Sequence, residues 1–277
     1  MGDYLRRGAL MYPEQLVEPV VETAIRAGNA ILEVYATDFD VEAKNDDSPL
    51  TRADMSAHRS IMEGLRELTP EMPVISEEGG LPDFDVRRAW QRYWLVDPLD
   101  GTREFVKRNG EFTVNIALIE NHCPVLGVVH VPVSGNTYIG CAGKGAELRA
   151  SDGASRPIRT AVESASPVRV VGSRSHRGAS LDGFLERLGD FEMVPMGSSL
   201  KLCLVAEGAA DVYPRLGPTS EWDTAAAQAV VEQAGGRVLQ LNGKPLRYNA
   251  KAEILNPHFL VSGPQDRDWL GILSSVA

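Results

Sequence analysis

A layered fold of the α/β or α+β class is predicted for this 277-residue chain by three observations. Segments with apolar residues at helical spacing and short apolar runs bounded by turn residues occur together in both halves of the chain. The composition, 43% hydrophobic and 24% charged, is that of an ordinary globular protein with a substantial core. A polar, turn-rich stretch near the middle separates the two halves, and the length fits one large domain or two modest ones.

The first element is a helix over residues 14–35, where Val17, Val20, Val21, Ala24, Ile25, Ile31 and Val34 recur at helical spacing behind Pro13. Pro19 falls near enough to that start to leave the boundary open. A second helix is predicted over 51–68, with Ala57, Ile61, Leu65 and Leu68 on one face. Short strands follow at 73–76, 93–96, 112–119, 124–133 and 137–141. The stretch 150–166, with Asp152-Gly153 and Pro157, is polar and turn-rich, so the predicted units are 1–160 and 161–277. Beyond it come a strand at 168–172, helices at 181–188 and 199–207, and a strand at 209–213. A helix over 223–234 is ended by Gly235-Gly236, and strands near Val238 and Phe259 close the chain. There is no internal repeat.

Composition also excludes functions. A formal net charge of −10 lacks the basic footprint of a nucleic-acid binder. No apolar run approaches the roughly 20 residues of a membrane span. Arg6 and Arg7 are followed only by Ala9-Leu10-Met11 before Tyr12-Pro13, which is no signal-peptide core. Cys123, Cys141 and Cys203 are an odd number at wide spacing and resemble neither a disulfide framework nor a zinc site. A reduced, cytoplasmic location is expected. An anionic substrate approaching so acidic a chain would need local positive charge, from metal ions or a few aimed Lys and Arg side chains.

The chemistry-bearing run is Trp94-Leu-Val-Asp97-Pro-Leu-Asp100-Gly-Thr102. A turn at the proline lets both acids point into one small space, and two hard anions invite an oxygen-seeking divalent cation. The Gly101 and Thr102 amides, if they open a helix, suit a phosphate oxygen. A plain turn would by itself explain Asp-Pro-Leu-Asp-Gly. Glu77 and Glu78 follow the apolar run Val74-Ile75; adjacent acids at a strand end need solvent or a cation. Parallel pairing of that strand with the one before Asp97 would bring both clusters to one edge. Asp54, three residues after Thr51, reads from the residues alone as part of a helix-capping pair, and Asp223 as an N-cap. Ser198, Lys201, Arg215 and His176 are the polar candidates of the second half, otherwise ordinary surface residues. Lys107-Arg108-Asn109-Gly110 reads as a hairpin turn.

Taken together, the acidic clusters resemble those of the inositol monophosphatase superfamily of Mg²⁺-dependent, lithium-sensitive phosphatases. The resemblance is carried by the Asp97-Pro-Leu-Asp100-Gly-Thr102 run, by Glu221-Trp-Asp223-Thr-Ala-Ala-Ala, by Lys44…Ser48-Pro-Leu-Thr51-Arg-Ala-Asp54 and by Ile75-Ser-Glu77-Glu78, in the family's order. The stretches from Arg103-Glu-Phe to Ile119, Gly172-Ser-Arg-Ser-His176, Gly197-Ser-Ser-Leu-Lys201 and Tyr213-Pro-Arg215 resemble its CysQ-type branch. Those enzymes act on 3′-phosphoadenosine 5′-phosphate (PAP).

The resemblance implies an α+β, αβαβα layered sandwich of two subdomains, the first with most metal ligands and the second with Asp223 and the nucleotide contacts. It implies one Mg²⁺ held by Glu77, Asp97 and the Leu99 carbonyl, a second held by Asp97, Asp100 and Asp223, and a weaker third supported by Glu78. Asp54 and Thr102 would orient the attacking water, Gly101 and Thr102 would donate amides to the scissile phosphate, and His176, Ser198, Lys201 and Arg215 would receive the nucleotide. The implied activity is removal of the 3′-phosphate of PAP, and of the related sulfate donor, linked to sulfur assimilation and inhibited by Li⁺. The rival readings are an inositol monophosphatase or fructose-1,6-bisphosphatase and, from another class, a non-catalytic metal-dependent nucleotide-binding regulator. The expected partner is a small-molecule nucleotide bisphosphate, without nucleic acid or membrane insertion; a homodimer is compatible with the sequence.

Overall fold

The computed structural model describes residues 11–37, 49–172 and 179–274. Arg6, Arg7, Lys44, Ser48 and His176 lie outside them. The fold is α+β.

The chain opens with two helices, α1 (Pro13–Tyr35) and α2 (Pro49–Leu68). Pro13 stands at the first helical position, whose N–H needs no partner. Pro19 lies inside α1 rather than at its boundary, and the Thr23 hydroxyl donates to the Pro19 carbonyl (2.8 Å). Seven strands follow: β1 (Val74–Ser76), β2 (Arg92–Asp100), β3 (Thr113–Glu120), β4 (Cys123–Val131), β5 (Asn136–Cys141), β6 (Gly145–Arg149) and β7 (Ser155–Ile158). They form one sheet in sequence order, with β1 parallel to β2 and every later pair antiparallel. Two short helices interrupt the series, α3 (Phe84–Arg87) between β1 and β2 and α4 (Thr102–Val106) between β2 and β3.

The second half carries β8 (Val168–Gly172), α5 (Ala179–Leu188), β9 (Phe191–Pro195), α6 (Leu200–Ala206), β10 (Val212–Arg215), α7 (Glu221–Gln233), β11 (Arg237–Gln240), β12 (Phe259–Ser262) and α8 (Trp269–Ser274). Its sheet has the order β11-β12-β10-β8-β9, in which β8 is parallel to β9 and β10, and β12 is antiparallel to β10 and β11.

Strand alternation builds the layers, because successive side chains leave opposite faces. Trp94, Val96, Val114, Ile116, Leu118 and Val128 pack with Leu16, Ala24, Ala57 and Ile61 of α1 and α2. Their neighbours Tyr93, Leu95, Ala117, Ile119 and Val129 turn the other way, onto Ala226 and Val230 of α7 and Leu202 of α6. The same core takes Val171, Tyr213, Val238, Phe259 and Val261 from the second sheet. Val170, Val212 and Leu260 face outward onto Phe184 of α5 and Trp269 and Leu273 of α8. The order is helix pair, sheet, α6 and α7, sheet, helix pair, an αβαβα sandwich.

Three local expectations change. The segment 150–166 contains an edge strand, β7, in which Pro157 is tolerated because edges leave ladder positions open. The strand predicted at 209–213 runs instead over β10, because the Ala209 and Ala210 amides are drawn back to the Leu204 carbonyl at the end of α6. Lys107-Arg108-Asn109-Gly110 links α4 to β3 and is not a hairpin. Arg108 (φ 54°) and Gly110 (φ 78°) take the left-handed conformations there, and the Asn109 amide donates to the Glu104 carbonyl as a helix end does.

Candidate metal centre and its cleft

Parallel pairing of β1 and β2 sets Ser76 beside Val96, so Glu77 and Asp97 leave the sheet side by side. The β2–β3 register then breaks between Asp97 and Asp100, and this irregularity turns the chain at Pro98. The Leu99 amide donates to Asp97 Oδ1 (3.0 Å), so the turn anchors the carboxylate it carries. Gly101 has φ +97°, a conformation open to glycine, and a Cβ there would stand 3.2 Å from both the Glu111 carbonyl oxygen and Ser198 Cβ. Gly101 is the residue before α4, and Thr102 is its first.

Asp223 arrives from the far side on α7. Gly127 and Gly140 let that helix lie flush against β4 and β5, since a Cβ on Gly140 would fall 2.5 Å from Val230 Cα. Ser220 is the N-cap, and Asp223, three residues on, accepts a hydrogen bond from the Ser220 amide (2.9 Å) in a capping box. The expectation of Asp223 as an N-cap is therefore corrected by three residues; from the third helical position it closes the capping box and still presents its carboxylate to the cluster. Asp54 likewise lies inside α2 rather than in its opening cap, and is 2% exposed.

The carboxylate oxygens of Glu77, Asp97 and Asp223 lie within 4.8 Å of one another, with Glu77 exposed and Asp97 buried. Such a set grades from solvent to interior and suits a hard divalent cation. Burial drives the Asp97 carboxyl well above the ordinary range, and its neighbours Asp100, Glu77, Asp223 and Asp54 add to that rise. Asp223 is pushed to about 7, first by burial and then by Asp100. Buried acids whose neighbours oppose their ionisation, as at Asp97 and Asp223, are frustrated without a cation, so the residues present fit a metal.

Asp100 stands slightly apart. Its Oδ2 accepts the Ser199 amide (2.5 Å) and faces Asn115 Nδ2 (3.5 Å). Ser199 Oγ in turn donates to Asn115 Oδ1 (2.9 Å) and meets Thr113 Oγ1 (2.9 Å). Burial raises the Asp100 carboxyl while Lys201 opposes the rise. Asn115, Thr113 and Ser199 were not expected as site residues. Asn115 is paired with Asp97 and Thr113 with Asp100 across the β2–β3 ladder, so strand register was the signal that could have found them.

Asp100, Ser198, Lys201, Tyr213, Arg215, Thr219 and Asp223 line one cleft. The Lys201 ammonium donates to the Ser198 carbonyl (2.5 Å) and lies 5.8 Å from the Tyr213 ring centroid. Burial lowers its pKa and Asp100 pulls it back up. Arg215, at the end of β10, donates to the Pro218 carbonyl (2.6 Å). Ser198 has φ 44°, and its loop is clamped on both sides: the Gly197 amide donates to Glu111 Oε2 (2.8 Å), and a Cβ on Gly197 would meet Glu104 Cγ at 2.4 Å. Glu78 lies in the single 3₁₀ turn Glu77–Gly79, where its charge acts on His58.

The chain matches the inositol monophosphatase family over residues 13–266. It is 52% identical over 249 residues to the 3′(2′),5′-bisphosphate nucleotidase CysQ of Escherichia coli O157:H7, covering 89% of this chain and 99% of that protein. It is 36% identical to the Haemophilus influenzae protein of the same name, over 94% of this chain and 97% of that one. Among solved structures it is similar to CysQ of Bacteroides thetaiotaomicron, with a TM-score of 0.83, 42% identity, and 92% and 99% of the two chains covered. An inositol monophosphatase of Zymomonas mobilis shares the fold, with a TM-score of 0.78 at 21% identity over 96% of this chain and all of that one (100%).

Proposed function

The chain belongs to the inositol monophosphatase family, and from that premise we propose that it is a 3′(2′),5′-bisphosphate nucleotidase, a phosphoric monoester hydrolase that removes the 3′-phosphate of PAP. The observation that carries the reading is the polarity of the cleft. Asp97 and Asp223 mark an acidic wall suited to cations, and Lys201 and Arg215 stand beside it as built-in cations. A substrate with two phosphates matches both: the scissile one at the acidic wall, the other at Lys201 and Arg215. An inositol monophosphate would leave the second pair without a partner.

In this reading Glu77, Asp97 and the Leu99 carbonyl would hold one Mg²⁺, Asp97, Asp100 and Asp223 would hold a second, and Glu78 would support a third. Bound divalent cations supply the charge that polarises a phosphoryl group and activates water near neutral pH. Asp54 and Thr102 orient the attacking water, and the Gly101 and Thr102 amides take the phosphate oxygens. Ser199, Asn115 and Thr113 hold the Asp100 carboxylate in its direction. Ser198, Lys201, Arg215 and His176 receive the nucleotide. The two sheets are read as two subdomains divided near residue 160, with α7 shared between them. Inhibition by Li⁺, cytoplasmic location and a role in sulfate assimilation accompany the proposal. No helix among the described residues is long and apolar enough to cross a membrane.

Phosphate release from PAP, inositol 1-phosphate and fructose 1,6-bisphosphate, side by side with Mg²⁺ or EDTA, tests it. The expected result is a kcat/KM for PAP about tenfold or more above the others, abolished by EDTA. Faster turnover of inositol 1-phosphate would overturn the nucleotide assignment.

A further inference from the structure

Arg87, the last residue of α3, is 1% exposed, and its guanidinium is committed almost wholly to one distant loop. It donates to Asn249 Oδ1 and to the carbonyls of Lys251 (3.3 Å) and Ala252, while its Nε donates to the nearby Pro82 carbonyl (3.1 Å). The Asn249 amide group returns a bond from Nδ2 to the Arg87 carbonyl (2.6 Å). Asn249 is 1% exposed and holds φ 55°.

That loop grips the start of α7. The Asn249 backbone amide donates to Glu221 Oε2 (2.7 Å), and the Glu221 amide donates to the Ile254 carbonyl (2.9 Å). Leu255 bridges Ser220, and Asn256 Nδ2 donates to the Ser220 carbonyl (2.8 Å) and to Thr224 Oγ1 (3.0 Å). Ser220, Glu221 and Thr224, on either side of Asp223, are therefore held by 249–256, and 249–256 is held by Arg87. Arg87 itself sits in the segment between Glu77 and Asp97.

The hydrogen bonds of this buried cation all go to neutral oxygens, with the buried Glu221 carboxyl near enough to feel its charge, and burying it gives up hydration that an apolar contact would not. What the fork provides is direction: several donors in one plane fix a loop in one position. We propose that Arg87 is a positioning residue of the metal centre, acting through Asn249 and the 249–256 loop to set where Asp223 stands relative to Glu77 and Asp97. The inference rests on the reading of the acidic cluster as a cation site, and it requires no particular substrate.

The test is Mn²⁺ binding to the purified full chain, followed by electron paramagnetic resonance without substrate. Arg87→Met removes the donors at similar volume, and Asn249→Gly removes the relay while suiting its left-handed backbone. Leu273→Ala, in the outer core against the second sheet, serves as a stability control of the same fold. Both test variants are expected to weaken Mn²⁺ binding by roughly 10- to 100-fold, the usual effect of losing a partner that orients a ligand. Leu273→Ala should lose thermal stability and keep its Mn²⁺ affinity, and Arg87→Lys should recover part of the loss in Arg87→Met.

Unchanged Mn²⁺ affinity in Asn249→Gly, or in a folded Arg87→Met, overturns the inference; should Arg87→Met not fold, Asn249→Gly decides. A wild-type chain that binds Mn²⁺ but cleaves no nucleotide bisphosphate would overturn the proposed function and leave this inference standing. A wild-type chain that binds no Mn²⁺ would end both.

Discussion

A Cβ on Gly127 would fall 2.0 Å from the carbonyl oxygen of Ala226, so β4 and α7 meet backbone to backbone at this point. The contact is what lets Asp223 reach the acids of the first sheet. Gly127→Ala must push α7 outward, since the atom met is backbone and no side chain can swing aside to make room. We expect about 1–3 kcal/mol of lost stability by chemical denaturation, the usual cost of overpacking, together with weaker Mg²⁺ binding. A variant of wild-type stability would show that the helix is less firmly seated than its packing implies.

Asp97 lies in the centre of a group of acids that raise its pKa. Asp97→Asn removes the ionisable carboxyl but retains an oxygen for the Leu99 amide. Turnover of PAP with Mg²⁺ should fall on the order of 10²-fold or more, since the carboxylate is lost as a ligand. In EDTA the same variant should be more stable than wild type by about 1–3 kcal/mol, because a buried carboxyl whose ionisation its surroundings oppose is gone. Calorimetry in EDTA beside a phosphate assay in Mg²⁺ reads both halves; loss of stability in EDTA would contradict the frustrated-cluster picture.

Lys201 and Arg215 differ in what they touch. Lys201 acts on Asp100, so Lys201→Ala should depress turnover of every substrate. Arg215, bonded to the Pro218 carbonyl at the end of β10, acts on Asp223 only as the smallest of the influences on that carboxyl, and is the probe of the second phosphate. Arg215→Ala should raise KM for PAP roughly 10- to 100-fold, the worth of a charged hydrogen bond, with inositol 1-phosphate kinetics nearly unaltered. Equal losses on both substrates would remove Arg215 from the nucleotide site.

His130, 3% exposed on β4, bonds Thr137 Oγ1 through Nδ1 (2.9 Å) beneath Gly28 of α1. Burial lowers its pKa from 6.5 to about 4. The unfolded chain therefore binds the proton more readily between those values, and stability is lost as pH falls through 6.5 towards 4. The full shift corresponds to at most about 3 kcal/mol. Denaturant melts of His130→Asn at pH 7 and pH 5 should show a smaller loss than wild type, and an identical pH slope would remove His130 as a source of acid sensitivity.

The acidic centre was legible where its chemistry is local. Asp97-Pro-Leu-Asp100-Gly-Thr102 bends itself, and Glu77 lands beside Asp97 because a short parallel pair carries both. The first outer layer was legible because apolar spacing in α1 and α2 follows the helical period. What lay beyond the sequence was set by contacts between distant segments. Asn115 and Thr113 serve Asp100 through register across β2 and β3, which no motif announces. Arg87 and Asn249 look like surface residues until two loops close on them. The Asn-Gly of 109–110 misled because left-handed residues end helices as readily as they turn hairpins.

Because Ala225, Ala226, Ala227, Ala229, Val230 and Val231 are all buried, α7 has almost no solvent face along its middle. A substitution in it alters a volume. A single-codon insertion ahead of Asp223 would instead turn that residue by about 100° within a slot that allows no compensating slide. Across a library of variants, amino-acid exchanges in this helix should therefore give graded phenotypes, and one-residue insertions or deletions in its first turn should be all or none.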